Sequence, residues 1–326
     1  MKGGETVTEE QKNFIENNSA SFTYKELSEK TGLTIKACKE FIKKEGLPRK
    51  GGPLASIELN FIEKNLSIMT PSEMAKHLGR SYELILKNIK KQGWHAKGMK
   101  NSFNQDFFEN IDTEEKAYFL GLLFADGYIL CGRKEDGRVE SDAFGISLQE
   151  QDIDILKKLK TALNATHPIN IYENSGSWAK KGTYYGRIIC YSQKAVNDLY
   201  AKGMKKHKTF DMQFPTEEQV PHNLLHHFIR GYVDGDGSIG AQKNRNKHWF
   251  TTMGTKEFLT GMQHFFGTDV KLGQRYPERE NNNYELRYCG NRQIDFFLDI
   301  LYRDATIYMD RKYKTYQLLK AKYSES

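Results

Sequence analysis

Cysteine is scarce in this chain. Four occur in 326 residues, Cys38, Cys131, Cys190 and Cys289, and none forms a CxxC pair. That excludes zinc-finger spacing and gives no disulfide framework, so reduced thiols are expected. Long apolar runs are missing too. No stretch approaches the roughly 18 uncharged residues of a membrane span. The opening MKGGETVTEEQK has no apolar h-region, so a secretory leader is not expected and a cytoplasmic location is. What is present is core material, 38% hydrophobic and 12% aromatic residues, which argues against wholesale disorder. The length fits two or three domains.

Charge is unevenly spread. Residues 1–100 carry 18 Lys and Arg against 12 Asp and Glu, whereas the rest carries 31 against 30. A basic first third points to a polyanionic partner.

That first third repeats itself at an offset of 47 residues. Phe14-Ile15-Glu16 recurs as Phe61-Ile62-Glu63, and Thr23, Glu26 and Gly32 recur as Thr70, Glu73 and Gly79. Each copy reads as three short helices. Thr23 with Glu26, and Thr70 with Glu73, have capping-box spacing, and Pro71 suits a first helical position. Gly32 and Gly79 supply the turn into a third helix, Thr34–Lys44 or Ser81–Lys91. Ile35, Cys38 and Ile42 share one face of the first, and Tyr82, Ile85 and Ile89 the matching face of the second. Two helices joined by a short glycine turn and packed on a third make a helix-turn-helix unit, whose last helix enters the major groove by its N-terminal end. Candidate DNA-binding residues there are Thr34, Lys36 and Lys39, then Arg80, Ser81 and Lys87. The units span 1–50 and 54–97, and a linker is expected over 98–111.

A second repeat fills the remainder, at an offset of 110. Phe119–Gly127 reads FLGLLFADG and Ile229–Gly237 reads IRGYVDGDG, so Gly121 matches Gly231 and Asp126 matches Asp236. Each reads as an apolar helix ending in Asp-Gly, the first capped by Asp112 or Thr113. A mid-helix glycine weakens a helix by about 1 kcal/mol but lets two backbones approach closely. Helices packed along Gly121 and Gly231 would bring their C-terminal ends together, each with one carboxylate. A helix C-terminus is partly negative, so paired Asp residues there call for a cation. Magnesium takes few carboxylates and keeps water and phosphate oxygens as other ligands, the layout for metal-assisted phosphodiester hydrolysis.

These two segments resemble the paired motif of LAGLIDADG homing endonucleases, over roughly 112–323. The first departs from the pattern at Phe124, where Asp is common; the second keeps Asp234. The resemblance implies an α+β fold: two pseudo-symmetric αββαββα repeats, 112–215 and 216–326, with two antiparallel sheets forming a saddle, preceded by the all-α tandem helix-turn-helix region. The expected strands are 127–131, 139–149, 168–173 and 183–191 in the first repeat, then 238–242, 248–253, 270–276 and 284–289 in the second. It also implies a monomer, with no obligate protein partner and no membrane, that cuts both strands of a long DNA duplex site with Mg²⁺ or Mn²⁺, leaves short 3′ overhangs, and is encoded in an intron or other mobile element. Asp126 and Asp236 would hold the metal with backbone carbonyls of Ala125 and Gly235. One lysine per half would serve catalysis, matched by Lys208 and Lys312. The sheets would face DNA through Arg133, Lys134, Arg138, Lys180, Lys181 and Arg187, and through Lys243, Arg245, Lys247, Arg275, Arg279 and Arg287. LAGLIDADG cores also occur in non-cleaving transcription regulators and in RNA-binding intron maturases. Regulators typically lose the metal carboxylates, which this chain keeps.

Overall fold

The computed structural model describes residues 7–133, 139–174, 182–206, 208–241, 248–274, 277–279 and 281–324. It divides into two compact units, 1–101 and 102–326.

The first unit holds six helices: α1 (Glu9–Asn18), α2 (Tyr24–Thr31), α3 (Ile35–Lys44), α4 (Ser56–Asn65), α5 (Pro71–Leu78) and α6 (Tyr82–Lys91). The spacing argument holds at the atomic level. Thr23 and Thr70 each accept a hydrogen bond from the backbone N–H of Glu26 or Glu73, whose side chains accept one in return from the Thr N–H. Gly32 and Gly79 end α2 and α5 at φ of 73° and 59°, the left-handed conformation that glycine adopts without a Cβ penalty. Each three-helix copy has its own core, one built on Ile15, Leu27, Cys38 and Ile42, the other on Ile62, Met74, Ile85 and Ile89. Ile35 and Tyr82 depart from expectation. They open α3 and α6 on the exposed side, at 44% and 47% exposure, because the inward face starts three residues later at Cys38 and Ile85.

In the second unit, α7 (Glu114–Asp126) leads into β1 (Gly127–Arg133), β2 (Val139–Gln149), α8 (Ile153–Ala162), β3 (Asn170–Glu173), β4 (Tyr184–Tyr191) and α9 (Gln193–Ala201). The order repeats as α10 (Leu225–Asp236), β5 (Gly237–Ala241), β6 (His248–Gly254), α11 (Lys256–Phe265), β7 (Gly273–Gln274), β8 (Tyr284–Cys289) and α12 (Asn291–Tyr302), closed by α13 (Asp310–Ser324). Both sheets are antiparallel with the same order, β1-β2-β4-β3 and β5-β6-β8-β7. β7 is far shorter than the strand expected over 270–276, of which Arg275 and Tyr276 lie outside the described residues. Side chains alternate along β6, with His248, Phe250, Thr252 and Gly254 inward, so one face of each sheet packs on helices and the other stays open. The stretch expected as a linker over 98–111 is free of the second unit only to Asn101. Phe107, Phe108 and Ile111 are buried in that unit's core, where their apolar surface outweighs the polar residues around them.

Among the described residues Cys38 and Cys190 are buried, Cys289 is exposed, and none of the three forms a disulfide. No helix among them is long and apolar enough to cross a membrane.

Candidate active site

The site begins with two glycines. A methyl group added to Gly121 would overlap the carbonyl oxygen of Phe228, and one added to Gly231 would overlap that of Tyr118. α7 and α10 therefore touch backbone to backbone, an approach closed to any larger residue. Because both helices end shortly beyond these contacts, their C-termini emerge side by side. Asp126 closes α7 and Asp236 closes α10. An Asp126 carboxylate oxygen lies against the other helix: a methyl at Gly235 would stand 2.6 Å from it.

The two carboxylates are electrostatically uncomfortable. Burial, then the neighbouring Asp236, pushes Asp126 up to about 6. Burial likewise raises Asp236, against the pull of Lys208 and Lys312 and of the Tyr232 hydroxyl beside it. A small cavity opens on each side of the pair. One, about 320 Å³, holds Asp126 with Gly235, Gln151 and Arg311; the other, about 230 Å³, holds Asp236 with Ala125, Lys208 and Asn283.

Each helix end is closed by a lysine from its own repeat. Lys208 Nζ donates to the carbonyls of Leu123 at 3.1 Å, Phe124 at 2.5 Å and Ala125. Lys312 Nζ donates to Val233 O at 2.7 Å and to Gly237 O. A cation at a helix C-terminus satisfies orphan carbonyls and opposes the dipole. Burial lowers both amines, each to about 8, although Asp236 and Asp126 draw Lys208 back up, and Asp234 does so for Lys312. The two lysines inferred from the resemblance thus stand at the two carboxylates. The Ala125 carbonyl, one of the proposed metal donors, already accepts the Lys208 ammonium.

The donor set suits a hard divalent cation: two carboxylates raised by burial, Asp126 further by its neighbour Asp236, with carbonyl oxygens close by. Among the described residues no cluster of three or more His, Cys, Asp or Glu side chains forms, so the protein offers two anionic ligands and leaves room for water and phosphate.

Three features of the site escaped the sequence. Tyr232 donates to Met253 O at 2.7 Å and lies by Asp236. Arg311 pairs with the buried Asp152 through two hydrogen bonds, 2.7 and 3.0 Å. Asp234, fully buried, accepts from Tyr118, Tyr302 and the Met309 N–H. Only Arg230 and Asp234 carried a sequence signal: two charges one turn apart inside an apolar helix.

The candidate DNA contacts divide. Arg187 and Arg287 lie on the open faces of their sheets, Arg187 with its guanidinium 5.1 Å from the Tyr172 ring centroid. Lys134, Arg138, Lys180, Lys181, Lys243, Arg245, Lys247 and Arg275 lie outside the described residues, as do the side chains of Arg133 and Arg279. In the first unit Lys36, Lys39 and Lys87 are exposed. Thr34 and Ser81 are the N-caps of α3 and α6, their hydroxyls taken by the N–H groups of Ala37 and Leu84. Arg80 is corrected. It is buried, paired with Glu58 at 2.7 and 3.1 Å and bonded to Arg49 O, since the turn after Gly79 points it inward where the first copy has Leu33. Removing one partner of a buried pair leaves an uncompensated charge, at a cost of about 3–5 kcal/mol. Arg80→Ala is therefore expected to collapse amide exchange protection across 54–97, whereas Lys36→Ala leaves it intact. Unchanged protection in Arg80→Ala would show that the pair is dispensable.

Comparison with known proteins gives one family. Residues 223–302 match the model of a LAGLIDADG-like domain. No curated protein matches the chain. Among solved structures it is similar to the LAGLIDADG meganuclease I-AabMI bound to uncleaved DNA (13% identity, 63% of this chain and 88% of that one, TM-score 0.41). It is also similar to the I-LtrWI LAGLIDADG homing endonuclease bound to target DNA (13%, 68% and 91%, 0.44) and to I-GzeII in complex with its DNA target (15%, 63% and 88%, 0.43). The matched segment carries one Gly-containing helix ending in Asp-Gly with its sheet, and residues 112–201 repeat the same elements in the same order. Residues 223–302 are therefore similar to a LAGLIDADG-like domain.

Proposed function

We propose that this chain is a site-specific DNA endonuclease, acting as a monomer that hydrolyses one phosphodiester on each strand with Mg²⁺ or Mn²⁺ and leaves short 3′ overhangs. The observation that carries the reading is the juxtaposition of Asp126 and Asp236 at two touching helix ends, each end closed by a lysine. A non-cleaving regulator has no use for two carboxylates held at this electrostatic expense.

The residues divide the work. Asp126 and Asp236 would hold the cation, with the Gly235 carbonyl as a further oxygen donor. When bound, the cation activates water and stabilises charge on the phosphate. Lys208 and Lys312 place positive charge beside the same phosphates, where negative charge builds in the transition state. The open sheet faces, with Arg187 and Arg287, and the exposed lysines of α3 and α6 would grip the duplex on either side and along one flank. In this reading two helix-turn-helix units, 1–50 and 54–97, precede repeats 112–215 and 216–326.

The test is to incubate the protein with a library of randomised and host-locus duplexes in Mg²⁺ and sequence the ends, with Asp126→Asn as control. Discrete ends at one sequence, absent from the control, support the endonuclease; specific binding without ends refutes it in favour of a regulator. The role of the flanking unit has its own check. Replacing Lys36, Lys39 and Lys87 with Glu should flatten the slope of log affinity against log salt by about one for each phosphate no longer neutralised. An unchanged slope places the first unit off the DNA backbone.

A further inference from the structure

The second half of the connector between α12 and α13, Thr306 to Met309, is held by charged side chains of α7 and α10. Glu114 of α7 accepts from the backbone N–H of Thr306 at 2.8 Å and of Ile307 at 3.2 Å, and from the Thr306 hydroxyl at 2.9 Å. Arg230 of α10 donates to Ile307 O at 2.9 Å, to Leu301 O at 2.8 Å and to Glu114 at 2.6 Å. Asp234, one turn further along α10, accepts from Met309 N–H at 2.7 Å and from the hydroxyls of Tyr118 at 2.7 Å and Tyr302 at 2.5 Å. Arg230 and Asp234 are both 0% exposed. Three residues beyond Met309, Lys312 enters the end of α10.

Among the described residues the first repeat shows no equivalent set. At the offset of 110 the partners of Arg230 and Asp234 are Leu120 and Phe124, and the residue paired with Glu114 is Leu224. Phe124 packs edge-on to Phe228 at 5.1 Å instead. Lys208 stands in a short 3-10 turn, Lys208–Phe210, partly exposed, whereas Lys312 is 3% exposed. Burying Arg230 and Asp234 to fix one segment is expensive, and the fold places the other lysine without such a device among the described residues.

We propose that Glu114, Arg230 and Asp234 are positioning residues that lock the 306–309 segment and so deliver Lys312 to the metal-binding helix ends, a device that serves one half of the site. The consequence for catalysis rests on the endonuclease reading. The positioning itself does not, and the test separates them.

Asp234→Asn keeps the side-chain size and removes the anionic acceptor. In the full-length protein, without DNA or metal, brief acetylation with acetic anhydride followed by mass spectrometry reads the accessibility of each lysine. Labelling of Lys312 should rise about tenfold or more over wild type, with Lys208 unchanged, as a local opening would give. Unchanged Lys312, or Lys208 rising in step, overturns the proposal. Tyr302→Phe, which removes one donor, should give a smaller rise at Lys312 alone and serves if Asp234→Asn does not fold. With DNA, strand-resolved cleavage should show Asp234→Asn slowing one strand more than the other. In a Lys312→Met background it should add nothing, because the two changes act through one group. Additive losses would also overturn it. If the wild-type protein cuts no duplex, the endonuclease reading fails and the labelling result still decides the positioning.

Discussion

Asp126→Asn should abolish cleavage, spare DNA binding and raise the melting temperature of the metal-free protein. The first two follow from losing one of only two anionic ligands while the DNA-facing surfaces are untouched. The third follows from linkage. The folded protein holds Asp126 at about 6, above the reference of 3.8. A folded pKa raised in this way means that the native state binds the proton more tightly than the unfolded chain does. Stability contributed by that proton is full below 3.8 and is lost as pH rises through 6, so at pH 7.5 the ionised carboxylate opposes folding. Two units correspond to a ceiling of about 3 kcal/mol, which partial solvent access reduces to roughly 1–2 kcal/mol. For a unit of this size that is a rise of roughly 2–8 °C. Mg²⁺ should raise the wild-type melting temperature and leave the variant nearly unmoved, because the cation relieves in one what the substitution has already relieved in the other. Calorimetry at pH 7.5 and 5, with EDTA and with Mg²⁺, reads all of this. A variant that melts lower than wild type at pH 7.5 would make Asp126 a structural residue. Asp236→Asn should follow the same pattern, since burial raises that carboxylate as well.

Local rules made much of this fold readable. The Thr23–Glu26 and Thr70–Glu73 boxes and the Gly32 and Gly79 turns are fixed by neighbours three or four residues away, so a repeat of 47 was enough to place six helices. The carboxylate pair was readable for a different reason. Gly in an apolar helix just before Asp-Gly is costly twice, and two copies at domain spacing leave few purposes other than close approach around a cation. What stayed hidden depends on partners far along the chain. Arg80 reads as an exposed recognition-helix residue until Glu58, 22 residues back, is seen to claim it. Asp234 reads only as the acidic position that the second motif keeps until Tyr118, 116 residues away, is seen to donate to it. Neither pairing leaves a periodicity.

Gly231→Ala should be the most damaging conservative change in the second unit. Alanine is the better helix former by about 1 kcal/mol, so an isolated α10 would gain. In the folded protein the new methyl meets the Tyr118 carbonyl, which belongs to α7 backbone and has no rotamer to escape through. The helices must separate, and with them the aromatic packing of Phe124 on Phe228 and the Tyr118–Asp234 hydrogen bond. Overpacking commonly costs about 1–3 kcal/mol, and a backbone-on-backbone contact belongs at or above the top of that range. A net loss of about 3 kcal/mol lowers the melting temperature by roughly 6–12 °C. Cleavage should fall further than stability accounts for, because separating α7 from α10 moves Asp126 away from Asp236 and loosens the cation between them. Gly121→Ala should behave alike, and the double variant should lose less than the two single losses combined, since the first methyl already opens the interface that the second would crowd. The check is unfolding midpoint and cleavage rate at a temperature where each variant is still folded. A Gly231→Ala protein as stable and as active as wild type would show that the helices can sit further apart, and that the carboxylates are brought together by something other than their touching backbones.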